Sequence, residues 1–220
     1  MQSPFNKHLR DHMAKSFFFI RHGQTDYNKK HIVQGSGVDS ELNDMGLMQA
    51  RQFYDYYKDE GFELVISSKL KRSIQTVQPF VEELGVDYEA HADINEISWG
   101  VHEGKSGNLQ MKQAYDDMIA QWQNGNYDAR LEGAESAQEL ADRCNRFINY
   151  IKTLSQEKIL ICSHGRTLRC LMCLMKGEHL REMENYGHHN VGLFQAEYDD
   201  GQFRFLLEND VSHRKPLRDG

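Results

Sequence analysis

Two short apolar runs, far apart in the chain, each end close to a histidine, and this repeated arrangement most constrains the fold. Residues 17–20 lead directly into Arg21 and His22, and residues 159–162 are followed, one residue later, by His164. Apolar runs of this length are typical of buried strands in a parallel sheet. If the two are parallel strands of one sheet, both histidines emerge at its carboxyl edge, where open α/β sheets bind ligands. Two histidines and an arginine at one edge indicate a site for an anion.

Strand and helix patterns alternate along the chain, which predicts an α/β fold. Residues 64–66 form another apolar run, and residues 70–84 then carry apolar side chains at helical spacing, as in a βαβ unit. Ser136 and Glu139 have the spacing of a capping box at the start of a helix. Further helices are predicted at 47–57, 108–122, 137–151 and 166–175, a short strand and long loop at 88–104, and a terminal hairpin at 191–198 and 203–207.

Length and charge bound the classes of protein that fit this chain. The continuous series of elements predicts one domain at residues 16–208, with an N-terminal extension at 1–15 and a C-terminal tail at 209–220. The extension lacks the apolar stretch of a signal peptide, and residues 17–20 are too few to cross a bilayer, so we expect a cytoplasmic protein without a membrane partner. The net charge of -7 argues against nucleic acid as a partner. The sequence leaves open whether the chain forms a homodimer.

The cysteines do not have the spacing of a disulfide framework. Cys170 and Cys173 have a separation found in redox and metal motifs, but they lie within an apolar helical pattern that includes Leu171 and Met175. Cys144 and Cys162 also fall on apolar positions. We therefore expect core positions rather than redox or metal chemistry.

Further motifs accompany the two histidines in a fixed order. They are Ser68-Lys69-Leu70-Lys71-Arg72-Ser73-Ile74-Gln75-Thr76, then Asn95-Glu96-Ile97 leading to His102-Glu103-Gly104. With the two histidine motifs, they resemble the histidine phosphatase superfamily, which has the phosphoglycerate-mutase-like fold. The resemblance runs from about residue 16 to about residue 207. It implies a three-layer α/β sandwich with a mostly parallel central sheet that is flanked by helices.

The resemblance implies a phosphomonoester hydrolase that acts through a phosphohistidine at His22. Arg21, Arg72 and His164 would bind the phosphoryl group, and Asn28 matches a family position near it. The residue types suit this chemistry, because guanidinium forks match phosphate geometry and a neutral imidazole can attack phosphorus. The arginines should lower the pKa of His22, and a carbonyl that accepts from its other ring nitrogen would fix the tautomer.

Glu96 matches the general acid of the family, and Glu103 is its nearest competitor. Burial beside a bound phosphate would raise the pKa of such a carboxyl group, so that it can protonate the leaving oxygen. The His-Glu-Gly setting of Glu103 matches a signature that shapes a loop, so we assign the acid to Glu96.

Substrate specificity is expected to be determined by the middle segment of the chain and by the loop after the first motif. Gln34 and Gly35 follow the family pattern there, and we assign them with Asn28 to substrate binding. Four other side chains are candidates for contacting the rest of the substrate, although each is better explained as structural: Tyr27, His31, Trp99 and Lys105.

Three functions remain distinguishable. Cofactor-dependent mutases of the family follow the general acid with a Glu-Arg-His-Tyr-Gly segment, which this chain lacks, so it is more similar to the phosphatase branches. A hydrolase of a small phosphorylated metabolite is the preferred interpretation, and a phosphoglycerate mutase is the alternative. A catalytically silent protein that binds a phosphorylated ligand is a third hypothesis, but such a protein would be expected to have lost His22, Arg72 or Glu96.

Neither a metal nor an organic cofactor is expected. His188-His189-Asn190 is a local cluster of metal-ligand types, but no spaced carboxylate or third ligand accompanies it. Arginines and histidines can instead supply the positive environment that phosphoryl transfer needs.

Overall fold

The computed structural model describes residues 14–214, which form a six-stranded sheet between helices. The strands are β1 (Lys15–Arg21), β2 (Leu64–Ser67), β3 (Asp87–Ala90), β4 (Lys158–Ser163), β5 (Leu193–Asp199) and β6 (Gln202–Asp210). The helices are α1 (Asp26–Lys29), α2 (Asp44–Tyr57), α3 (Lys71–Glu82), α4 (Leu109–Gln123), α5 (Ala137–Thr153) and α6 (Gly165–Lys176). Short 3₁₀ helices occur at Ala92–Ile94, Gly100–His102 and Leu180–Asn185.

The sheet order, β3-β2-β4-β1-β5-β6, brings the two histidine-bearing strands together. β1 and β4 are parallel neighbours, with Arg21 opposite Ser163, and β2 and β3 are also parallel. β5 and β6 pair antiparallel at one side, as the predicted terminal hairpin requires. The prediction of an α/β fold with a mostly parallel central sheet is confirmed, and both histidines follow strands at one carboxyl edge.

Alternate residues of β1 supply the cores on the two faces of the sheet. Phe17 and Phe19 pack with residues of α4, α5 and α6, whereas Phe18 and Ile20 pack with residues of α2 and α3. Successive side chains of a strand point to opposite faces, so a continuous apolar run is what a strand covered on both faces requires. The result is the three-layer arrangement that the family resemblance implies.

Helix ends follow the sequence signals closely at α5. The Ser136 hydroxyl accepts from the Glu139 N–H at 3.2 Å, and the Glu139 carboxylate accepts from the Ser136 N–H at 2.9 Å. This is the predicted capping box. At α2 the apolar side chains at helical spacing in 47–57 begin with Leu47, but Leu47 is 50% exposed, whereas Phe53 lies in the core.

The predicted extension and tail differ from the structure at their inner ends. Lys15 begins β1, and β6 continues through Asp210, beyond the predicted domain end at residue 208. His213 is buried, with its ring 5.0 Å from that of Phe53, so the start of the predicted tail packs on α2. The remainder, residues 1–13 and 215–220, lies outside the described residues.

Two further sequence predictions concern the cysteines and membranes. All four cysteines are free and buried, which confirms the interpretation of Cys170 and Cys173 as core residues. Of the helices between residues 14 and 214, none combines the length and apolar composition that a membrane span needs.

Candidate active site

His22 and His164 lie side by side at the carboxyl edge of β1 and β4. Their ring centroids are 5.1 Å apart, and both side chains are buried. The His22 N–H bonds to the Ser163 carbonyl at 3.0 Å, which continues the β1–β4 pairing beyond the strands. The parallel register therefore places the two imidazoles together, as the sequence predicts.

The His22 imidazole has a defined tautomer. Its Nδ1 lies 2.7 Å from the Gly23 carbonyl, and a carbonyl can only accept, so Nδ1 carries the proton. Burial, and then the charges of Arg72 and Arg21, hold the pKa of His22 well below its usual value of 6.5. Nε2 is therefore an unprotonated nitrogen at neutral pH. This is the state that a nucleophilic imidazole requires.

The turn after His22 is held by a close approach of two backbone segments. A Cβ atom at Gly23 would lie 2.7 Å from the Gly46 carbonyl oxygen, and one at Gly46 would lie 2.1 Å from the Gln24 carbonyl oxygen. The Gly23 N–H also donates to the Thr76 hydroxyl at 2.9 Å. Glycine at both positions lets the loop pack on the start of α2, which fixes the carbonyl that orients His22.

Arg72 is completely buried on the first turn of α3, not solvated as an isolated helix arginine would be. Its guanidinium donates to the carbonyls of Val38 at 2.6 Å and Gly35 at 3.2 Å, and its Nε donates to Nδ1 of His164 at 3.3 Å. Burial lowers the pKa of Arg72. The neighbouring carbonyls hold the guanidinium at the site.

Gly35 contacts Arg72 through its backbone carbonyl. It is absent from the residues that line the cavity described below, and its carbonyl holds Arg72 instead. A Cβ atom there would lie 2.0 Å from Oε1 of Glu103, which explains the need for glycine. The structure thus shows a contact of Gly35 with Arg72, and its assignment to substrate binding stays a prediction.

Both ring nitrogens of His164 are engaged within the protein. Nδ1 accepts from Arg72, while Nε2 lies 2.7 Å from the Ser68 hydroxyl and 3.2 Å from the Ser73 hydroxyl. Burial, followed by the charge of Arg72, holds the pKa of His164 well below 6.5. The ring is therefore neutral, with its proton on Nε2. In this arrangement it supports Arg72 and does not yet present a donor to phosphate.

Arg21 extends from the end of β1 and contacts a histidine that sequence reasoning did not assign to the site. Its NH1 lies 3.3 Å from Nδ1 of His188 and 3.4 Å from the His188 carbonyl. Burial lowers the pKa of Arg21 to about 10 and that of His188 to about 3, so at neutral pH arginine is charged and histidine is neutral. A Cβ atom at Gly165 would meet the His188 ring at 2.6 Å, so glycine at the start of α6 makes room for it.

Asn28 and Gln34 line the cavity from the loop after β1. The Asn28 side-chain oxygen accepts from the Thr25 N–H at 3.2 Å in the capping box of α1, which leaves its amide N–H groups as the donors toward a ligand. Gln34 donates to the Thr25 hydroxyl at 2.8 Å and accepts from the Ser40 hydroxyl at 2.6 Å, so its amide braces the loop. Asn190, which was also unassigned, donates to the His22 carbonyl at 2.9 Å.

Glu96 is buried, and its carboxyl group faces the start of α6. It accepts from the N–H groups of Thr167 at 3.2 Å and Arg166 at 3.3 Å, and from the Ile97 N–H at 3.0 Å. Arg143 holds the preceding turn by donating to the Asn95 carbonyl at 2.8 Å. These contacts fix the carboxyl group in the same cavity as His22.

Glu103 is engaged in the loop instead. Its Oε1 accepts from the Trp99 N–H at 2.8 Å and from the Ser98 hydroxyl at 3.2 Å, and it packs against Gly35. It is not among the residues lining the cavity. These contacts favour the loop-shaping role over the acid.

A cavity of about 720 Å³ opens beside these groups. The predicted residues that line it are Arg21, His22, Asn28, Gln34, Arg72, Glu96 and Trp99. The other lining residues are Ile32, Val33, His102, Gly107, Asn108, Leu109, Met111, Lys112, Tyr115 and Leu131. Of the further candidates, Tyr27, His31 and Lys105 are not among them.

Several residues of the site were not predicted from the sequence, and they differ in whether any sequence pattern indicates them. Ser68, Ser73 and Thr76 lie inside a motif of the resemblance, but nothing in their spacing distinguishes a hydroxyl that faces the site. For His188 and Asn190 the sequence offers only residue types that can bind metals, which does not indicate their contacts with Arg21 and His22. Within residues 14–214, no group of three or more His, Cys, Asp or Glu side chains is arranged to hold a metal ion.

Comparisons of sequence agree with these motifs. The family profile described as the histidine phosphatase superfamily (branch 1) matches residues 17–211. A protein of Hydrogenobacter thermophilus, provisionally named phosphoserine phosphatase 2, is 28% identical over 92% of this chain and 99% of its own. The probable phosphoglycerate mutase GpmB of Shigella dysenteriae is 34% identical over 73% of this chain and 74% of its own.

Solved structures show the same fold at lower sequence identity. The alpha-ribazole phosphatase of Shigella flexneri is similar with a TM-score of 0.78 and 22% identity, covering 89% of this chain and 96% of that chain. A mycobacterial glucosyl-3-phosphoglycerate phosphatase in complex with inorganic phosphate gives a TM-score of 0.78 at 19% identity, covering 92% and 100%.

Proposed function

Because the chain belongs to branch 1 of the histidine phosphatase superfamily, we propose that it hydrolyses small phosphomonoesters through a phosphohistidine at His22. One observation carries the proposal. The neutral His22 imidazole, whose Nδ1 proton is held by Gly23, shares a cavity with the guanidinium groups of Arg21 and Arg72 and the carboxyl group of Glu96. A nucleophile, cations for the phosphoryl oxygens and a proton source are the groups that this transfer needs.

In the first step, Nε2 of His22 attacks phosphorus and the bond from phosphorus to the ester oxygen breaks. The electron pair of that bond leaves with the oxygen, which takes a proton from the Glu96 carboxyl group. Arg21 and Arg72 bind the nonbridging oxygens throughout, and Asn28 donates to one of them. The alcohol departs, and His22 carries the phosphoryl group.

His164 changes its hydrogen bonds as the phosphoryl group binds. The guanidinium of Arg72 now donates to phosphate oxygens, which releases Nδ1 of His164 from its 3.3 Å contact with Arg72 Nε. The hydroxyls of Ser68 and Ser73 can donate as well as accept, so the ring proton can move to Nδ1 while a serine donates to Nε2. His164 then donates to a phosphoryl oxygen from Nδ1.

In the second step, water attacks the phosphohistidine. Glu96 is now a carboxylate and takes one proton from the water, while the P–N bond breaks and its electron pair returns to Nε2 of His22. Inorganic phosphate leaves, and both groups regain their starting states. The chemistry uses the chain's own cations for charge stabilisation, so we propose that it needs neither a metal nor an organic cofactor.

A phosphoglycerate mutase is the second candidate, because the chain is 34% identical to a protein named for that activity. Hydrolysis is preferred because the Glu-Arg-His-Tyr-Gly segment that helps mutases to hold a three-carbon acid is missing after Glu96. A silent binding protein would not need a buried nucleophile, two arginines and a carboxyl group around one cavity.

The phosphoenzyme itself tests the proposal. Rapid quenching with labelled p-nitrophenyl phosphate should trap a phosphoenzyme that is labile in acid and stable in alkali. His22→Ala should abolish both the trapped species and turnover, whereas His179→Ala, an exposed histidine outside the cavity, should retain both. Near-normal turnover by His22→Ala would contradict the mechanism.

A further inference from the structure

The cavity continues beyond the phosphoryl-binding residues, and this outer part has mostly apolar walls. The apolar side chains that line it are Ile32, Val33, Trp99, Leu109, Met111, Tyr115 and Leu131. Leu109 is 83% exposed, although an isolated leucine gains nothing from facing water. About 720 Å³ is within the range of sites that enclose a whole small molecule, so there is room for a sizeable alcohol beside the phosphate.

Two aromatic rings in this wall are held rigidly. Trp99 and Tyr115 meet edge to face, with centroids 5.6 Å apart and an interplanar angle of 62°. Arg166 donates from its guanidinium to the Tyr115 hydroxyl, and the same guanidinium lies 5.9 Å from the Trp99 ring and also pairs with Glu184. The pair is preorganised before any ligand binds, so it can contact an apolar group at little entropic cost.

The apolar wall of the cavity adjoins Glu96, the proposed general acid. The residue that anchors Tyr115 through its side chain, Arg166, also donates from its backbone N–H to Oε2 of Glu96 at 3.3 Å. Glu96 must lie at the ester oxygen in order to protonate it. The aromatic pair therefore lies on the side of the cavity toward which the alcohol extends.

Charge argues against an anionic alcohol. Among the described residues that line the cavity, Lys112 is the only Lys or Arg apart from Arg21 and Arg72. Its ammonium group already pairs with Asp116 one helical turn away, and its side chain is 70% exposed. A carboxylate on the alcohol would lose water beside apolar side chains without gaining a fixed cation, which is unfavourable.

We propose that the substrate is a phosphomonoester of an uncharged alcohol that bears an aromatic ring or a similar apolar body, bound against Trp99 and Tyr115. This inference rests on the proposed hydrolase and narrows its substrate class. Esters of small anionic alcohols, such as phosphoserine and 3-phosphoglycerate, are then poor substrates. Leu109 and Met111 close the apolar surface over the ring at the beginning of α4.

Matched esters with similar leaving groups test the inference. The value of kcat/KM should be roughly 10- to 100-fold higher for 2-phenylethyl phosphate than for ethyl phosphate, because a phenyl group is buried in one case and absent in the other. O-phosphoserine should be no better than ethyl phosphate. Both comparisons use alkyl esters, so the need for the acid is similar in each.

Variants locate the effect in the wall. Tyr115→Leu and Leu109→Ser should each lower the ratio of phenylethyl to ethyl kcat/KM by roughly 3- to 10-fold. Tyr56→Leu replaces an exposed tyrosine of α2 outside the cavity and should keep the wild-type ratio. Using the ratio cancels any loss of folded enzyme, and Leu109→Ser changes a side chain that is already exposed.

The outcomes separate the two proposals. A wild-type ratio near one, a ratio unchanged in both wall variants, or a preference for O-phosphoserine would overturn the apolar-alcohol proposal and leave the hydrolase standing. Failure to turn over any ester, p-nitrophenyl phosphate included, would overturn the hydrolase and this inference with it.

Discussion

The hydroxyl of Ser68 lies 2.7 Å from Nε2 of His164, on the opposite side of the ring from the Arg72 contact. The hydroxyl can accept a hydrogen bond from the Nε2–H group in the free enzyme, or donate one to Nε2 once phosphate has drawn Arg72 away. The Ser73 hydroxyl lies 3.2 Å from the same nitrogen and forms a longer hydrogen bond with it. Ser68 is thus placed to set which nitrogen of His164 carries the proton.

Replacing Ser68 should weaken phosphate binding without abolishing it. Ser68→Ala removes one neutral hydrogen bond, so the inhibition constant for inorganic phosphate should rise roughly 3- to 10-fold. Combining it with His164→Ala should cost less than the sum of the separate effects, because both act through one ring. Ser155→Ala, an exposed serine, is the control. Full additivity would place Ser68 outside this network.

Removing the Glu96 carboxylic proton should affect substrates unequally. Glu96→Gln should lower phosphoryl transfer from an alkyl phosphate by roughly 10²- to 10⁴-fold, since an alkoxide needs a proton as it leaves. Transfer from p-nitrophenyl phosphate should fall much less, because nitrophenolate is a good leaving group. The phosphorylation step itself must be followed, since dephosphorylation of His22 is common to both. Equal losses of rate for the two substrates in that step would show that Glu96 is not the general acid. Glu103→Gln would then be examined in the same way.

Chelation should leave activity intact, because Arg21 and Arg72 supply the positive charge at the phosphoryl group. Activity with EDTA should match that without it, and vanadate and phosphate should compete with substrate. Loss of activity in chelator with recovery in a divalent ion would show that this account of the charge is wrong.

Phosphate release should dominate over isomerisation. Incubation with 3-phosphoglycerate and catalytic 2,3-bisphosphoglycerate should yield little 2-phosphoglycerate, because the segment that holds the acid in mutases is missing after Glu96. The rates of the two reactions are compared in the same preparation. Isomerisation far faster than the release of phosphate from every ester tested would favour the mutase over the hydrolase.

Stability should fall as the pH drops from 7 to 5. Three buried histidines and the half-buried His188 have lowered pKa values: His22 and His164 well below 6.5, His188 about 3 and His213 about 4. Below pH 6.5 the unfolded chain binds protons that the folded chain does not, so each histidine lowers the free energy of unfolding as pH falls toward its folded pKa. The slope approaches about 1.4 kcal/mol per pH unit for each.

Urea unfolding across this range measures the slope. His213→Gln removes one titrating group that is remote from the cavity and should reduce the slope by about 1.4 kcal/mol per pH unit. Stability that is flat or rises between pH 7 and pH 5 would contradict the buried neutral state of these rings.

The sequence was sufficient to predict the strands and the edge of the sheet at which the candidate site lies. It was not sufficient to predict the contacts between side chains at that site. Apolar periodicity in 70–84 predicts a core face that includes Leu84, yet Leu84 is 45% exposed and Arg72, Ser73 and Thr76 are buried. Periodicity detects only apolar side chains, so a helix that turns a polar face inward toward a site escapes it.

Contacts between distant segments are the other part that sequence patterns miss. The hydrogen bond from Arg143 to the Asn95 carbonyl, the approach of His188 to Arg21 and the aromatic pair of Trp99 with Tyr115 each join residues whose meeting depends on the assembled layers. Family motifs predict the reacting groups, whereas the contacts that hold these groups are visible only in the structure.

The two halves of the cavity are built from different parts of the chain. The groups for phosphate follow β1, β2 and β4, while most of the apolar wall comes from residues 99–131, between β3 and α5. Because the two halves are separate in sequence, the apolar wall can be replaced while the groups for phosphate are kept. A chimera that receives this segment from a relative with another substrate should acquire the donor's preference and keep the recipient's chemistry. Specificity in such a scaffold can then change through one contiguous segment, while the edge of the sheet that carries the proposed catalytic groups stays the same.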